Sequence, residues 1–253
     1  MSAVLDSAAD LERRFGGLRR LYGDAAYARI RAARLAVVGL GGVGSWAAEA
    51  LARSGVAALT LIDLDHVAES NINRQAQALG ATLGVAKVQA MRERIVDIHP
   101  GCDVSAVEAF AAADNWPALL PAPVDAVIDA CDQVSAKLAM AAWSLSTQVP
   151  LMVAGAAGGK RSPQAVEVDD LALVTHDPLL SSLRQRLRRE FGAPRTGKMG
   201  VRCVFSREAV QAPVDVCEVE GNLNCHGYGS TVSVTATFGL VLAQLALESC
   251  VHR

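Results

Sequence analysis

The stretch LAVVGLGGVGSWAAEALARSGVAALTLID, residues 35–63, decides the fold. An apolar run from 35 to 38 leads into a glycine turn that contains Gly39, Gly41, Gly42 and Gly44. An alanine-rich amphipathic stretch follows, and a second apolar run ends in Asp63. This order of strand, glycine turn, helix, strand and acid is the fingerprint of a nucleotide-binding βαβ unit. We therefore predict an α/β fold with a doubly wound, mainly parallel sheet.

The glycine turn has the composition that a phosphate-binding backbone needs. One glycine allows the tight turn, another lets the backbone approach a phosphate, and a third lets the helix pack closely on the sheet. The helix that starts near Gly42 directs its free N–H groups and positive dipole end at the anion. Asp63 stands where an acid can hold ribose hydroxyls. These features alone predict a nucleotide but do not choose between NAD, FAD and ATP.

A polar segment after Asp63 favours a triphosphate. Side chains that can orient or neutralise phosphates follow one another closely: Asp65, Asn71, Asn73, Arg74, Gln75 and Lys87. A dinucleotide site needs one acid and apolar walls, and it has no use for this arginine and lysine. Arg74 and Lys87 suit triphosphate cleavage, because they can neutralise the charge of the leaving pyrophosphate. We predict that both residues are catalytic.

Two acids follow the apolar run from 124 to 128. Asp129 and Asp132 are expected at the end of a parallel strand, on the same edge of the sheet as the glycine turn. A carboxylate there can hold Mg²⁺ against nucleotide phosphates. We choose Asp132 as the catalytic metal ligand and Asp129 as the second candidate. The alternative is that the acid only caps the helix that begins near Ser135.

These motifs, in this order and spacing, resemble the adenylation domain of ubiquitin-activating-like enzymes over about residues 14 to 160. Further segments are similar to one branch of that family, the bacterial tRNA threonylcarbamoyladenosine dehydratases: 14–17, 20–23, 155–159, 177–179, 203–206 and 235–239. The resemblance implies that ATP, with Mg²⁺, activates a carboxylate on the modified adenosine beside the anticodon of tRNA. It implies that the activated group then closes into a cyclic hydantoin, with net loss of water.

The resemblance also implies a homodimer. In the wider family, an arginine near the N-terminus reaches the ATP phosphates of the partner subunit. The matching segment here starts at Arg14 and lacks the usual second arginine, so Arg20 or Arg14 is expected to take that place.

The composition narrows the class of protein. Lysine and arginine number 24 against 26 aspartates and glutamates, for a net charge of −2, so any contact with RNA must come from a local basic patch. The six cysteines include no Cys-x-x-Cys pair, which argues against a structural zinc site. The scattered cysteines and an N-terminus without an apolar signal segment predict a cytoplasmic protein.

The chain is expected to form an ATP-binding core, residues 1–160, and a C-terminal extension, residues 161–253, within one compact domain. Near the N-terminus, Gly16 and Gly17 are expected to separate two short helices. Segments around 166–168 and 201–205 are expected to pair as antiparallel strands. The apolar run 232–247 is shorter than the roughly 20 residues of a spanning helix. It predicts a helix buried in the core or at a dimer interface, without stable membrane insertion; peripheral membrane association is the alternative.

A basic segment in the second half is the candidate contact with tRNA. Its cationic residues are Arg184, Arg186, Arg188, Arg189, Arg195 and Lys198. Each lysine or arginine that meets an RNA phosphate would release counterions. The four helical arginines do not fall on one stripe, so a solvated helix face is the alternative.

Cys225 is a candidate thiol beside His226. Within the wider family a cysteine can take over the adenylated carboxylate as a thioester, and a neighbouring cationic histidine would favour the thiolate. The expected reaction needs no thioester, because a carbamoyl nitrogen can close the ring within the same molecule. We therefore favour an inert thiol.

Three rival functions are kept open. The first is adenylation of the C-terminus of a ubiquitin-like sulfur carrier, which would make a sulfur-relay protein the partner. The second is an NAD-dependent oxidoreductase, in which Arg74 and Lys87 have no clear use. The third is a non-catalytic tRNA-binding scaffold, against which the intact set of acidic and basic site residues argues.

Overall fold

A seven-stranded sheet organises the chain, which we describe from a computed structural model covering residues 9–211 and 228–252. The strands are β1 (Arg34–Val38), β2 (Ala58–Ile62), β3 (Asp103–Val107), β4 (Ala126–Asp129), β5 (Leu151–Ala154), β6 (Val166–Asp170) and β7 (Arg202–Ser206). Their order across the sheet is β3-β2-β1-β4-β5-β7-β6. All neighbours pair in parallel except β6 and β7. The predicted doubly wound, mainly parallel sheet with an antiparallel C-terminal pair is confirmed.

Helices cover both faces of the sheet. They are α1 (Leu11–Tyr22), α2 (Asp24–Ala32), α3 (Gly44–Arg53), α4 (Lys87–Ile98), α5 (Val134–Thr147), α6 (Pro178–Glu190) and α7 (Val232–Val251). On one face Leu35 and Val37 of β1 join an apolar core with α3, α4 and α7, and on the other Ala36 and Val38 join a core with α5 and α6. Burial on both faces explains why the strands read as continuous apolar runs.

The N-terminal helices break at a different glycine from the one expected. α1 runs through Gly16 and Gly17, and the break falls at Gly23, whose φ is +79°. Glycine inside a helix costs only about 1 kcal/mol relative to alanine, and the buried ring of Phe15 keeps α1 packed on the core. The positive φ of Gly23, by contrast, cannot continue a right-handed helix.

The C-terminal third continues the same sheet. β7 pairs in parallel with β5 as well as antiparallel with β6. The following helix, α7, crosses α3 so closely that a Cβ atom on Gly239 would collide with the carbonyl oxygen of Val43. Because the two segments share a sheet and a core, we propose that residues 1–160 and 161–253 form one compact domain.

The apolar C-terminal run forms a core helix. Within the described residues, α7 is the one helix that is long and apolar enough to cross a membrane, and 56% of its apolar window is buried inside the protein. Phe238, Leu242 and Ala246 are fully buried. The predicted buried helix is thus present, and most of its apolar residues lie in the interior, with Val232 and Leu240 exposed.

Candidate active site

The glycine turn links β1 to α3 at the edge where β1, β2, β4 and β5 end, here called the carboxyl edge. Gly39 has a φ of +86°, and a Cβ atom there would lie 2.9 Å from the carbonyl of Ala130. A Cβ atom on Gly44 would collide with the carbonyl of Gly39. Only glycine at these two positions lets β1 turn past the end of β4 and enter α3.

The middle of the turn is open to a ligand. A Cβ atom added to Gly41 would meet nothing within 4 Å. Within the described residues, the backbone N–H groups of Gly41, Gly42 and Val43 find no acceptor. These donors precede α3, whose positive dipole end adds to their attraction for an anion. The structure therefore gathers the predicted glycines into one anion-binding geometry, and their role in binding a nucleotide stays a prediction.

Asp63 follows β2 and braces the glycine turn. The residue is 8% exposed, and its carboxylate accepts the backbone N–H groups of Leu40 at 2.6 Å and Asp65 at 2.9 Å. Burial raises the pKa of the Asp63 carboxyl above its ordinary value, and the Lys87 charge and both N–H donors offset only part of that rise. Each carboxylate oxygen has a second lone pair, so the group can still accept a ribose hydroxyl.

Lys87 is the first residue of α4, and its charge lies at the carboxyl edge. Its side chain is nearly buried, and its Nζ atom is 2.8 Å from Oδ2 of Asp65. The Asp65 side chain remains half exposed. The pair thus holds a lysine at the edge beside a carboxylate that solvent or a ligand can reach.

The polar segment 70–75 lies beside the glycine turn. Arg74 donates to the carbonyl of Ser70 at 2.7 Å and to the amide oxygen of Asn73 at 2.8 Å. Its side-chain carbons come so close to Gly42 that a Cβ atom there would lie 3.1 Å from one of them. The structure therefore brings Arg74 beside the anion-binding turn, and its catalytic role stays a prediction.

Three amides of this segment make contacts that set its shape. Asn71 accepts the backbone N–H of Ala68 at 3.1 Å and closes a short 3₁₀ turn. Asn73 donates to the carbonyl of Ser230 at 3.0 Å, which ties the segment to the approach of α7. Gln75 accepts a hydrogen bond from Gln77 at 3.2 Å. These bonds hold the segment in place around Arg74.

The two acids at the end of β4 differ in surroundings. Asp129 is fully buried, and its Oδ1 atom is 3.1 Å from Nζ of Lys137. Asp132 is exposed and makes no hydrogen bond or ion pair within the described part of the chain. Gln133 is the N-cap of α5 and makes no side-chain capping bond, so neither acid caps this helix. Asp132 therefore has a carboxylate available for a metal, whereas Asp129 is engaged.

Lys137 and Gln77 are site residues that sequence reasoning missed. Lys137 is fully buried and also donates to the carbonyl of Ala154 at 2.9 Å. Burial lowers the pKa of its ammonium, but the charge and hydrogen bond of Asp129, together with the nearby thiols of Cys131 and Cys203, raise that pKa above its ordinary value. Gln77 donates to the carbonyl of Leu40 within the glycine turn at 2.9 Å. Neither contact leaves a local sequence signal, because the partners lie on separate elements.

Of the two N-terminal arginines, Arg14 lies away from this edge of its own chain. Arg14 donates to the carbonyls of Asp97 and Ile98, at the opposite end of α4 from Lys87. A helix of the length of α4 spans about 18 Å. Arg20 is exposed on α1 and makes no hydrogen bond or ion pair within residues 9–211 and 228–252.

The basic segment extends to the opposite edge of the sheet. α6 begins at the carboxyl edge, where Asp177 accepts the N–H of Ala156 at 2.8 Å. It ends before a loop, residues 191–201, that leads to the first residue of β7. A helix of this length spans about 20 Å, so the loop lies at the far edge from the glycine turn.

The six basic side chains of this segment are not equally available to bind RNA, because four of them already have partners within the protein. Arg184 donates to the carbonyls of Leu171 and Val174, and Arg188 donates to those of Pro194 and Arg195. Two of the arginines pair with Glu190, namely Arg186 and Arg189. The side chains of Arg195 and Lys198 are exposed and have no hydrogen bond or ion pair among the described residues.

Cys225, the candidate thiol, lies outside the described residues.

Within the described ranges, no group of three or more histidine, cysteine, aspartate or glutamate side chains could hold a metal ion. A magnesium ion at Asp132 would therefore need ligands from the nucleotide and from water.

Comparisons with known proteins cover nearly the whole chain. The ThiF family model matches residues 14–253. The tRNA threonylcarbamoyladenosine dehydratase of Escherichia coli (strain K12) is 44% identical over 98% of this chain and 96% of its own length. That of Haemophilus influenzae (strain ATCC 51907 / DSM 11121 / KW20 / Rd) is 36% identical over 96% and 95%.

A solved structure agrees with the fold over the same length. The crystal structure of the Escherichia coli tRNA N6-threonylcarbamoyladenosine dehydratase in complex with ATP is similar with a TM-score of 0.87 and 43% identity, over 96% of each chain. A complex of that protein with AMP gives the same values.

Proposed function

The chain belongs to the ThiF family, and from this premise we propose that it uses ATP to adenylate the carboxylate of threonylcarbamoyladenosine in tRNA. The activated group then closes to the hydantoin. One observation carries the proposal. A relative named for this substrate, whose crystal structure contains ATP, is similar to this chain over nearly the full length of both proteins. The glycine turn, with Arg74 and Lys87 beside it, supplies the local chemistry that such a reaction needs.

Each residue of the site has a role in binding ATP. The free N–H groups of Gly41 and Gly42 bind phosphate oxygens at the start of α3. Asp63 accepts ribose hydroxyls. The neighbouring amides of Asn71, Asn73 and Gln75 hold the segment that presents Arg74, and Asp65 orients Lys87 through their ion pair.

Asp132 is the proposed ligand of Mg²⁺. The donor set fits that ion, because Mg²⁺ takes one or two carboxylates together with phosphate oxygens and water, and Asp132 is an exposed carboxylate without a partner in the described chain. When bound, the ion would neutralise phosphate charge. Asp129, paired with Lys137, holds the strand end from which Asp132 extends.

The reaction proceeds in two displacements. A carboxylate oxygen of the substrate attacks the α-phosphorus of ATP, and the bond from that phosphorus to the bridging oxygen of pyrophosphate breaks. Arg74 and Lys87 stabilise the developing charge on the leaving pyrophosphate. A carbamoyl nitrogen of the same group then attacks the activated carbonyl and loses its proton, and AMP leaves with the former carboxylate oxygen. The lost oxygen accounts for the net dehydration.

Pyrophosphate release from ATP tests this function. It is expected with tRNA that carries threonylcarbamoyladenosine, and not with unmodified tRNA or with a ubiquitin-like sulfur carrier. Release with the sulfur carrier alone would establish the first rival instead. Calorimetry should show binding of ATP and none of NAD; the reverse result would overturn adenylation.

We further propose a homodimer in which Arg20 reaches the phosphates of the other protomer. Arg20 is exposed and unpaired in the described chain, whereas Arg14 is held by carbonyls at the far end of α4.

A sulfur-relay protein remains a candidate partner only for the rival function, and Cys225 is proposed to be an inert thiol. The cytoplasm, which contains tRNA, is the proposed location.

The tRNA is proposed to contact the far-edge loop through Arg195 and Lys198. Changing both to glutamine should weaken tRNA binding and leave ATP binding unchanged, because their side chains are free and lie away from the glycine turn. The slope of log affinity against log salt should flatten by about 0.9 for each duplex phosphate contact removed, or about 0.7 for single-stranded RNA. Filter binding across a salt series measures this slope.

A matched control removes two positive charges elsewhere. Arg13→Gln with Arg92→Gln changes the net charge equally at exposed positions on α1 and α4, and it should leave the slope closer to that of the unchanged protein. Equal slopes for all three proteins would mean that the tRNA docks away from this loop.

A further inference from the structure

Both backbone polar groups of Leu40, in the middle of the glycine turn, are held by buried side chains. Its N–H donates to Oδ2 of Asp63 at 2.6 Å, and its carbonyl accepts from Nε2 of Gln77 at 2.9 Å. The side chains of Leu40 and Gln77 are 0% and 1% exposed. The backbone of Leu40 is therefore held from two sides, by Asp63, which follows β2, and by Gln77, which follows the polar segment 70–75.

Without these two hydrogen bonds, the plane of the peptide between Leu40 and Gly41 would rotate easily. Its rotation changes ψ of Leu40 and φ of Gly41, and glycine adopts both signs of φ at little cost. A Cβ atom on Gly41 would meet nothing within 4 Å, so this side of Gly41 is not packed against neighbouring atoms. The hydrogen bond from Gln77 to the Leu40 carbonyl favours one orientation of this peptide.

That orientation decides whether the turn attracts or repels an anion. In a trans peptide the carbonyl oxygen and the next N–H point in opposite directions. With the Leu40 carbonyl directed at the buried Gln77, the N–H of Gly41 points the other way, toward the open side of the turn. A rotated peptide would present the carbonyl oxygen, and its negative partial charge, to the phosphates.

Gln77 is itself held in one orientation. Its Nε2 atom donates to the carbonyl of Leu40 and to Oε1 of Gln75, at 2.9 Å and 3.2 Å. Exchanging the oxygen and nitrogen of the amide would place its oxygen against two acceptors, so the neighbours determine which atom is the donor. Its backbone carbonyl also accepts the hydroxyl of Thr82 at 2.7 Å.

We propose that Gln77 is a positioning residue that locks the Leu40–Gly41 peptide with its N–H toward the phosphates of ATP. This inference rests on the proposed function, because it assigns the turn to ATP. Gln77 touches no phosphate; it acts through the carbonyl of Leu40. By donating to Gln75 as well, it joins the glycine turn to the segment that carries Arg74.

The test compares the affinities for ATP and for adenosine, which has no phosphate. Gln77→Met keeps the length of the side chain and removes the donor. We expect the Kd of ATP to rise about tenfold, equivalent to about 1.4 kcal/mol, which is the size of one net hydrogen bond. The Kd of adenosine, whose ribose Asp63 is proposed to hold, should change less than twofold. Calorimetry on the full chain measures both.

Two further variants keep the test decisive. Gln244→Met makes the same chemical change at an exposed position on α7 and should leave both affinities unchanged. Gln77→Asn keeps an amide but cannot reach Leu40, so it should repeat the selective loss even if the methionine variant fails to fold. An unchanged ATP affinity, or an equal loss of ATP and adenosine binding, would overturn the inference. Absence of ATP binding by the unchanged protein would instead overturn the proposed function.

Discussion

Asp132→Asn is expected to abolish pyrophosphate release while leaving the fold intact. The asparagine keeps the shape of the side chain but removes the charge that holds Mg²⁺ on the phosphates, and metal stabilisation of transition-state charge is worth several kcal/mol. At about 1.4 kcal/mol per factor of ten, turnover should fall by about a thousandfold. Asp132 is exposed, so the melting temperature should remain that of the unchanged protein. Initial-rate assays and thermal melting measure the two effects.

Near-normal turnover of Asp132→Asn would contradict this assignment and move the metal role to Asp129.

Mixing the Asp132→Asn variant with an Arg20→Ala variant tests the proposed dimer. If Arg20 acts on the other protomer, mixed dimers contain one site with both residues intact, and activity returns. Activity that stays at the level of the separate variants would mean that Arg20 serves its own chain or has no role.

Lys137→Met should lower the free energy of unfolding by about 3–5 kcal/mol, because it leaves the carboxylate of Asp129 buried without its charge partner. Asp129 is 0% exposed, and its Oδ2 atom already has no hydrogen-bond partner among the described residues. Its Oδ1 atom also accepts the backbone N–H and the thiol of Cys131, but neither donor carries the positive charge that Lys137 supplies. Urea denaturation measures the effect.

The double variant Lys137→Met/Asp129→Leu is the control for this effect. It removes both charges, so it should recover much of the lost stability, since an apolar pair can replace a buried ion pair at little cost. A single variant within about 1 kcal/mol of the unchanged protein would show that water or a conformational change relieves the buried charge.

The parts of the fold that local sequence determines were predictable. The apolar runs of β1 and β2, the glycine turn and Asp63 lie within residues 35–63, and each follows from backbone geometry or burial in the neighbouring residues. Their order is enough to predict the parallel sheet and a nucleotide at its carboxyl edge. The structure places Arg74 and Lys87 at that edge, because both follow β2 by one connection, and their catalytic roles stay predictions.

Contacts between distant segments were beyond the reach of the sequence. Lys137 reads as a polar residue in an apolar helix until Asp129 is seen beside it, and Gln77 reads as a loop amide until its bond to Leu40 is known. The basic segment shows the same limit. Its composition predicted cations but not that Arg184 and Arg188 would be used by carbonyls of the fold, nor that the free ones would lie at the far edge.

The close crossing of α3 and α7 at Gly239 has a consequence for biosynthesis. The anion-binding turn leads directly into α3, and α7, which covers α3, is translated after every other described element. A nascent chain that already contains β1 to β7 therefore still exposes the part of α3 that packs on α7 in the folded protein. The active site can reach its final form only after α7 has left the ribosome, so ribosome-bound intermediates should be protease-sensitive around α3 until that point.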